Sequence, residues 1–125
     1  MLDWDHLARR ANDDGEFRLH ARFWNARIRI GHGDGSTRLR LVDGALTDVG
    51  PWRPADFGAD LTIGADPAAW DALLAPVPKP FYHDLWAASV HHGVQLIGDS
   101  HHRCAYYPAV RRLLELMREV RHGAV

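Results

Sequence analysis

The chain has 125 residues, 46% of them hydrophobic, which suffices for one domain with a sizeable buried core. Its formal charge of −1, from 15 basic and 16 acidic residues, supplies no whole-molecule field that would draw nucleic acid. The lone Cys104 excludes an intrachain disulfide framework and a cysteine-based zinc knuckle, and no stretch approaches the roughly 20 apolar residues of a bilayer span.

The opening Met1-Leu2-Asp3-Trp4-Asp5 has neither the basic patch nor the apolar region of a signal peptide, so a reducing, cytoplasmic location is expected. Lys79 is the only lysine, and the arginine bias fits a GC-rich, bacterial genome. Asp3 is placed to cap a helix over 3–12, with Trp4, Leu7, Ala8 and Ala11 at spacings of three and four, and Asp13-Asp14-Gly15 stops it. From Glu16 the period reads as two: Phe17, Leu19, Ala21 and Phe23 alternate with Arg18, His20 and Arg22, which predicts a half-buried strand. The alternation then continues on even numbers at Trp24, Ala26, Ile28 and Ile30. A bulge or bend at Phe23-Trp24-Asn25, in a curved sheet, would reconcile the two phases.

Gly31-His32-Gly33-Asp34-Gly35-Ser36 is a turn, and Leu39 and Leu41 alternate with Arg38 and Arg40 on the returning strand, the best hairpin in the chain. Asp43-Gly44 is a second turn, leading through Leu46 and Val49 to the loop Gly50-Pro51-Trp52-Arg53-Pro54. A strand follows at 60–63, then a helix capped by Asp66 with Pro67 in its first turn, running through Trp70, Leu73 and Leu74. Pro76, Pro78 and Pro80 end it. Tyr82, Leu85, Trp86 and Ser89 predict a helix between Phe81 and His92, closed by Gly93. Val94 to Ile97 is a short strand ending at Gly98-Asp99. The last helix follows Pro108, with Val110, Leu113, Leu114, Met117 and Val120 inward and Arg111, Arg112, Glu115, Arg118 and Glu119 outward. This order predicts an antiparallel α+β fold in a single domain spanning 1–125.

No sequence-local catalytic motif is present. Five of the nine histidines, His83, His91, His92, His101 and His102, lie close in sequence to Asp84 and Asp99, yet none of these pairs has the i, i+4 offset of a helical zinc site. No metal and no cofactor is therefore expected. A histidine with a remote carboxylate needs no fixed spacing, so His83 and Asp99 are the candidate acid-base pair. No serine lies in a nucleophile elbow, and the glycines from Gly31 to Gly35 lack a P-loop lysine. The hairpin places Arg27, Arg29, Arg38 and Arg40 on one outer face, where like charges repel. Asp43, Asp48 or Glu16 could compensate them; an anionic headgroup, a phosphate-bearing ligand or a second subunit are the alternatives.

The strand and capped helix from Ala59 to Leu74, the Arg38 to Gly44 strand and turn, the Val94-Gln95-Leu96-Ile97-Gly98-Asp99 segment and the closing amphipathic helix together resemble the sterol carrier protein 2 (SCP2) family from about Phe17 onward. The resemblance implies a sheet of about five strands, mainly antiparallel, covered on one face by helices that form a tunnel for acyl chains, acyl-CoA or sterols, without catalysis. Between Phe81 and Gly93 the chain departs from the family's more aliphatic pattern, which favours an aromatic or polar-headed ligand. The first expectation is thus a non-enzymatic carrier of a hydrophobic small molecule or lipid. Its pocket would be walled by Phe23, Trp24, Ile28, Leu39, Leu41, Ile63, Trp70, Trp86 and Met117. A small enzyme using His83 and Asp99, and an interaction or homodimerisation module using the arginine face, are the other readings.

Overall fold

A computed structural model describes residues 1–33, 35–53, 55 and 58–123; the turn and loop readings at Asp34 and Pro54 lie outside them. The elements are α1 (Trp4–Asp13), α2 (Gly15–Ala21), β1 (Ala26–Gly31), β2 (Ser36–Val42), β3 (Ala45–Pro51), β4 (Leu61–Gly64), α3 (Pro67–Leu73), α4 (Leu85–His91), β5 (Gln95–Gly98), a π-turn (His101–Ala105) and α5 (Tyr107–Arg121). The five strands form one mixed sheet in the order β3-β2-β1-β4-β5. Pairing is antiparallel except between β1 and β4, which run parallel.

The predicted strand from Glu16 is a helix instead. Asp14 ends α1 and also caps α2, its carboxylate accepting from the Phe17 N–H at 2.8 Å. Phe17 and Ala21, four apart, are buried, whereas Leu19 is 62% exposed and Phe23 70%. The period of two was a coincidence of composition: the buried pair also satisfies a helical spacing, and the cap decides. The phase slip at Phe23-Trp24-Asn25 is accordingly a helix-to-strand connection with Phe23 at φ 71°, rather than a bulge within a strand. The actual bulge lies in the β2–β3 ladder between Arg40 and Leu41.

The hairpin pairs as its alternation requires: Ile28 lies opposite Leu39, Arg27 opposite Arg40 and Arg29 opposite Arg38. Ala26, Ile28, Ile30, Leu39, Leu41, Leu46, Leu61, Ile63 and Leu96 bury their side chains in the core cluster on one face of the sheet. The apolar stripe of α5 joins the same buried cluster, with α1 packed on β3 and on α5, and α2 on α5. Arg118, placed outside by the helical wheel, is half-buried and donates to the carbonyls of Leu73, Tyr82 and His83.

The two-residue turn between β2 and β3 has both central residues at positive φ, Asp43 at 49° and Gly44 at 80°, the twist a tight hairpin needs. A Cβ on Gly44 would meet the Ala21 carbonyl oxygen at 2.6 Å. Gly44→Ala is therefore expected to cost roughly 2 kcal/mol, combining left-handed strain with a backbone clash, as a lower urea midpoint at unchanged slope.

Helix α4 starts later than its pattern suggests, because Asp84 caps it and holds Phe81 to His83 outside the helix. Gly93, at φ 68°, turns the chain after its C-cap His92 into β5. Among the described residues no helix is long and apolar enough to cross a membrane.

Candidate functional site

Seven of the nine expected wall residues, Trp24, Ile28, Leu39, Leu41, Ile63, Trp70 and Met117, are brought together in one buried cluster. Both buried indoles have partners. The Trp24 Nε1–H donates to His102 Nδ1 at 3.0 Å and its ring stacks on Tyr106, while the Trp70 Nε1–H donates to the Gly31 carbonyl at 2.8 Å. Burial without such bonds would cost about 1–3 kcal/mol per donor. The other two stand apart: Phe23 lies under the Arg22 guanidinium at the surface, and Trp86 is 42% exposed on α4.

Trp86 borders a small surface concavity between α4, β5 and the π-turn. Trp86, Ser89 and Val90 of α4, Leu96 of β5 and Arg103 of the π-turn line an open concavity of about 130 Å³. Leu96 is the inward residue of β5, an edge strand, and is the one lining residue that belongs to the buried cluster. The Arg103 guanidinium lies 5.6 Å from the Trp86 ring centre, and its Nε is buried without a partner among the described residues. A π-turn is uncommon and recurs at functional sites, and this one carries Arg103 to the mouth.

α4 is pinned at its first turn. The Tyr107 hydroxyl donates to the Asp84 carboxylate and accepts from the Trp86 N–H at 3.0 Å; burial and the Asp84 carboxylate push that phenol up from its ordinary value. The histidine-rich segment belongs to the same arrangement: His91 stacks on Phe81 at 3.8 Å and His92 on Tyr82 at 3.9 Å.

His83 and Asp99 are both exposed, and no hydrogen bond or ion pair joins them among the described residues. Asp99 caps the π-turn by accepting from the His102 N–H at 2.9 Å; that bond, aided by the nearby His102 and His101, holds its carboxyl below the ordinary range. No group of three or more His, Cys, Asp or Glu is placed to hold a metal among the described residues.

A second concavity, of about 490 Å³, lies at the ends of β1, β4 and β5 and includes Arg29, His32, Ser36, Thr62, Asp66 and Gln95. Alternation exposes Arg29 and the glycines from Gly31 to Gly35 announce a turn, whereas the placement of Thr62 and Gln95 beside them depends on strand order. Of the three acids named for the arginine face, only Asp48 takes up a place on it. It accepts from Arg38 at 3.0 Å and 2.9 Å, whereas Glu16 pairs with Arg112 and Asp43 bonds Asn25.

No protein-family model matches this chain, and no curated protein matches it. Two solved structures do. One is a crystal structure of sterol carrier protein 2, 22% identical, with a TM-score of 0.76 over 96% of this chain and 97% of that one. The other is a solution structure of a conserved hypothetical protein from Thermus thermophilus, described as a candidate sterol carrier, 22% identical, with a TM-score of 0.69 over 91% of this chain and 82% of that one. The five-stranded mixed sheet with its helical cover is an SCP2-like fold.

Proposed function

We propose that the chain, as one SCP2-like domain, is a non-enzymatic carrier of an apolar molecule with an acidic head. The ligand would be taken up at the β5 edge, beneath α4. The observation that carries this reading is the concavity at Trp86, Val90 and Leu96, lined also by Arg103, whose buried Nε has no partner among the described residues. An orphan buried donor is costly, and a ligand carboxylate would relieve that cost with a charge-assisted bond. The sterol-carrier names of the two similar structures support an apolar ligand, and the acidic head rests on Arg103 alone.

A cavity of about 130 Å³ is small against the roughly 300–1,000 Å³ of ligand pockets, so uptake is coupled to displacement of α4. That helix has seven residues, too few to be stable alone, and its anchor at Tyr107 and Asp84 would act as the hinge. Beyond Leu96 the wall continues through Ile63, its cross-strand neighbour, and Trp24, bonded to the π-turn through His102. Ile28, Leu39, Leu41, Trp70 and Met117, all buried, would form its deeper part once α4 is displaced, and exposed Phe23 would lie outside it. Each 100 Å² of apolar ligand surface removed from water contributes about 2.5 kcal/mol toward opening the layer.

The test is equilibrium fluorescence of the purified protein with a long-chain fatty acid and the matching fatty alcohol. Both are expected to change tryptophan emission, with a Trp86→Phe variant assigning the signal. Arg103→Met is expected to weaken the acid about tenfold while sparing the alcohol. Absence of binding by both probes would overturn the proposal.

A further inference from the structure

We propose that the cleft at the ends of β1, β4 and β5 is a binding site for a phosphate-type oxyanion, with the Arg29 guanidinium as its principal contact. Arg29 points away from the helix-covered face, so this site is distinct from the apolar opening at Leu96 and independent of the carrier reading. Its floor brings two glycines together: a Cβ built on Gly31 would lie 3.5 Å from the Gly64 Cα. The Gln95 side chain lies over Gly64, where a Cβ would meet its Oε1 at 2.7 Å, so the amide is held at the floor of the cleft.

Arg29 is held in place but not neutralised. Its Nε donates to the Ser36 hydroxyl at 3.0 Å and its guanidinium lies 5.4 Å from the Trp52 ring centre, while its two terminal amino groups have no partner among the described residues. Thr62, its neighbour on β4, and Gln95 on β5 add a hydroxyl and an amide to the same cleft. Donors from three adjacent strands suit an anion with three terminal oxygens better than a flat carboxylate.

The surroundings favour the same charge. Arg27 and Arg40 stand directly opposite each other, both exposed, with no acidic side-chain partner for either guanidinium among the described residues, an unfavourable pairing that an anion would relieve. Asp60 contacts Arg27 through the backbone N–H, and Asp48 is taken by Arg38. On the rim, Asp66 accepts from the Ala69 N–H, and its carboxylate would repel a bare anion but bond a hydroxyl beside the phosphate. The preferred ligand is therefore a phosphate ester of a hydroxylated alcohol.

Amide shifts of the intact chain, titrated with glycerol phosphate at low salt, test this. Saturable shifts at Gly31, Gly64 and Gln95 are expected. Arg29→Gln should weaken them about tenfold or more, whereas Arg40→Gln, on the same face outside the cleft, should weaken them less than about fivefold. If Arg29→Gln does not fold, Thr62→Val supplies the local variant. Equal weakening by the local variant and by Arg40→Gln, or no saturable shift, would overturn the proposal. Cosedimentation with phosphatidylglycerol vesicles separates the sources: Arg29-dependent sedimentation identifies a lipid headgroup, and glycerol phosphate binding without it identifies a soluble ester. Fatty acid binding is expected to be unchanged in every arm.

Discussion

Asp14→Ala is expected to lower stability by about 3–5 kcal/mol, read as a lower urea midpoint at neutral pH. The Asp14 carboxylate is 8% exposed and serves three elements. It caps α2 through the Phe17 N–H, accepts from Arg112 of α5 at 3.0 Å and 2.9 Å, and accepts from Arg10 of α1 at 3.1 Å. Removing it frays α2 and leaves two partly buried guanidinia with weaker counterions: Glu16 and Glu115 for Arg112, Glu119 for Arg10. Asp14→Asn keeps an oxygen for the cap and loses the charge, so its cost should be smaller, roughly 2 kcal/mol.

The same site sets an acid limit. The Arg112 bonds first, then the Phe17 N–H and Arg10, hold the Asp14 carboxyl well below the usual carboxylate range against an opposing desolvation cost. A carboxyl whose folded-state pKa lies below its unfolded value stabilises the fold above the unfolded pKa, about 4, and loses that contribution as pH falls through the folded value. The wild-type advantage over Asp14→Asn should thus be full at neutral pH and shrink progressively below about pH 4. A constant difference across that range would place the stabilisation in packing rather than charge.

Asp14 also marks where sequence reading succeeds and fails. Elements announced by a cap and a long apolar stripe were legible: Asp3 for α1, Asp66 and Pro67 for α3, and the five inward residues of α5. The hairpin was legible as well, because alternation and turn chemistry agree over a local pairing. The segment after Asp14 misled because seven residues can satisfy periods of 2 and 3.6 together. The overlooked signal was the run Asp14-Gly15-Glu16, a cap followed by an acid in the first turn.

What stayed hidden depends on tertiary neighbours. The parallel β1–β4 pair places Thr62 beside Arg29, and β5 adds Gln95, so the cleft exists only once strand order is known. Arg103 reads as a surface cation among histidines, whereas in the fold it lies in the π-turn with its Nε buried and unpartnered among the described residues. Seven of the nine expected wall residues are inward-facing and buried together, whereas Phe23 and Trp86 are exposed. Periodicity alone does not separate a filled core from a cavity that opens on uptake, and Trp24 and Trp70 are fully buried in the layer before any uptake.

Arg118→Met is expected to cost about 2–3 kcal/mol and to loosen the region around α4 more than the rest of the fold. The half-buried guanidinium donates to Leu73 O at 2.8 Å, Tyr82 O at 3.0 Å and His83 O at 2.9 Å, tying the end of α3 and the approach to α4 onto α5. Burial pushes this guanidinium down from its ordinary value, with Glu115 and Asp84 opposing the shift, so its attachment rests on carbonyls rather than on a carboxylate pair. Methionine keeps the apolar stem and abandons the three acceptors; Arg118→Lys should recover only part of the loss, because one ammonium cannot reproduce the planar fork. Hydrogen exchange should show the amides from Tyr82 to His92 losing protection at denaturant concentrations where β1 and β2 remain protected. If α4 is the element displaced during uptake, the fatty acid should associate faster with Arg118→Met even as the urea midpoint falls. A uniform loss of protection, with association unchanged, would reduce Arg118 to a general stabiliser of the core and separate α4 from the route of uptake.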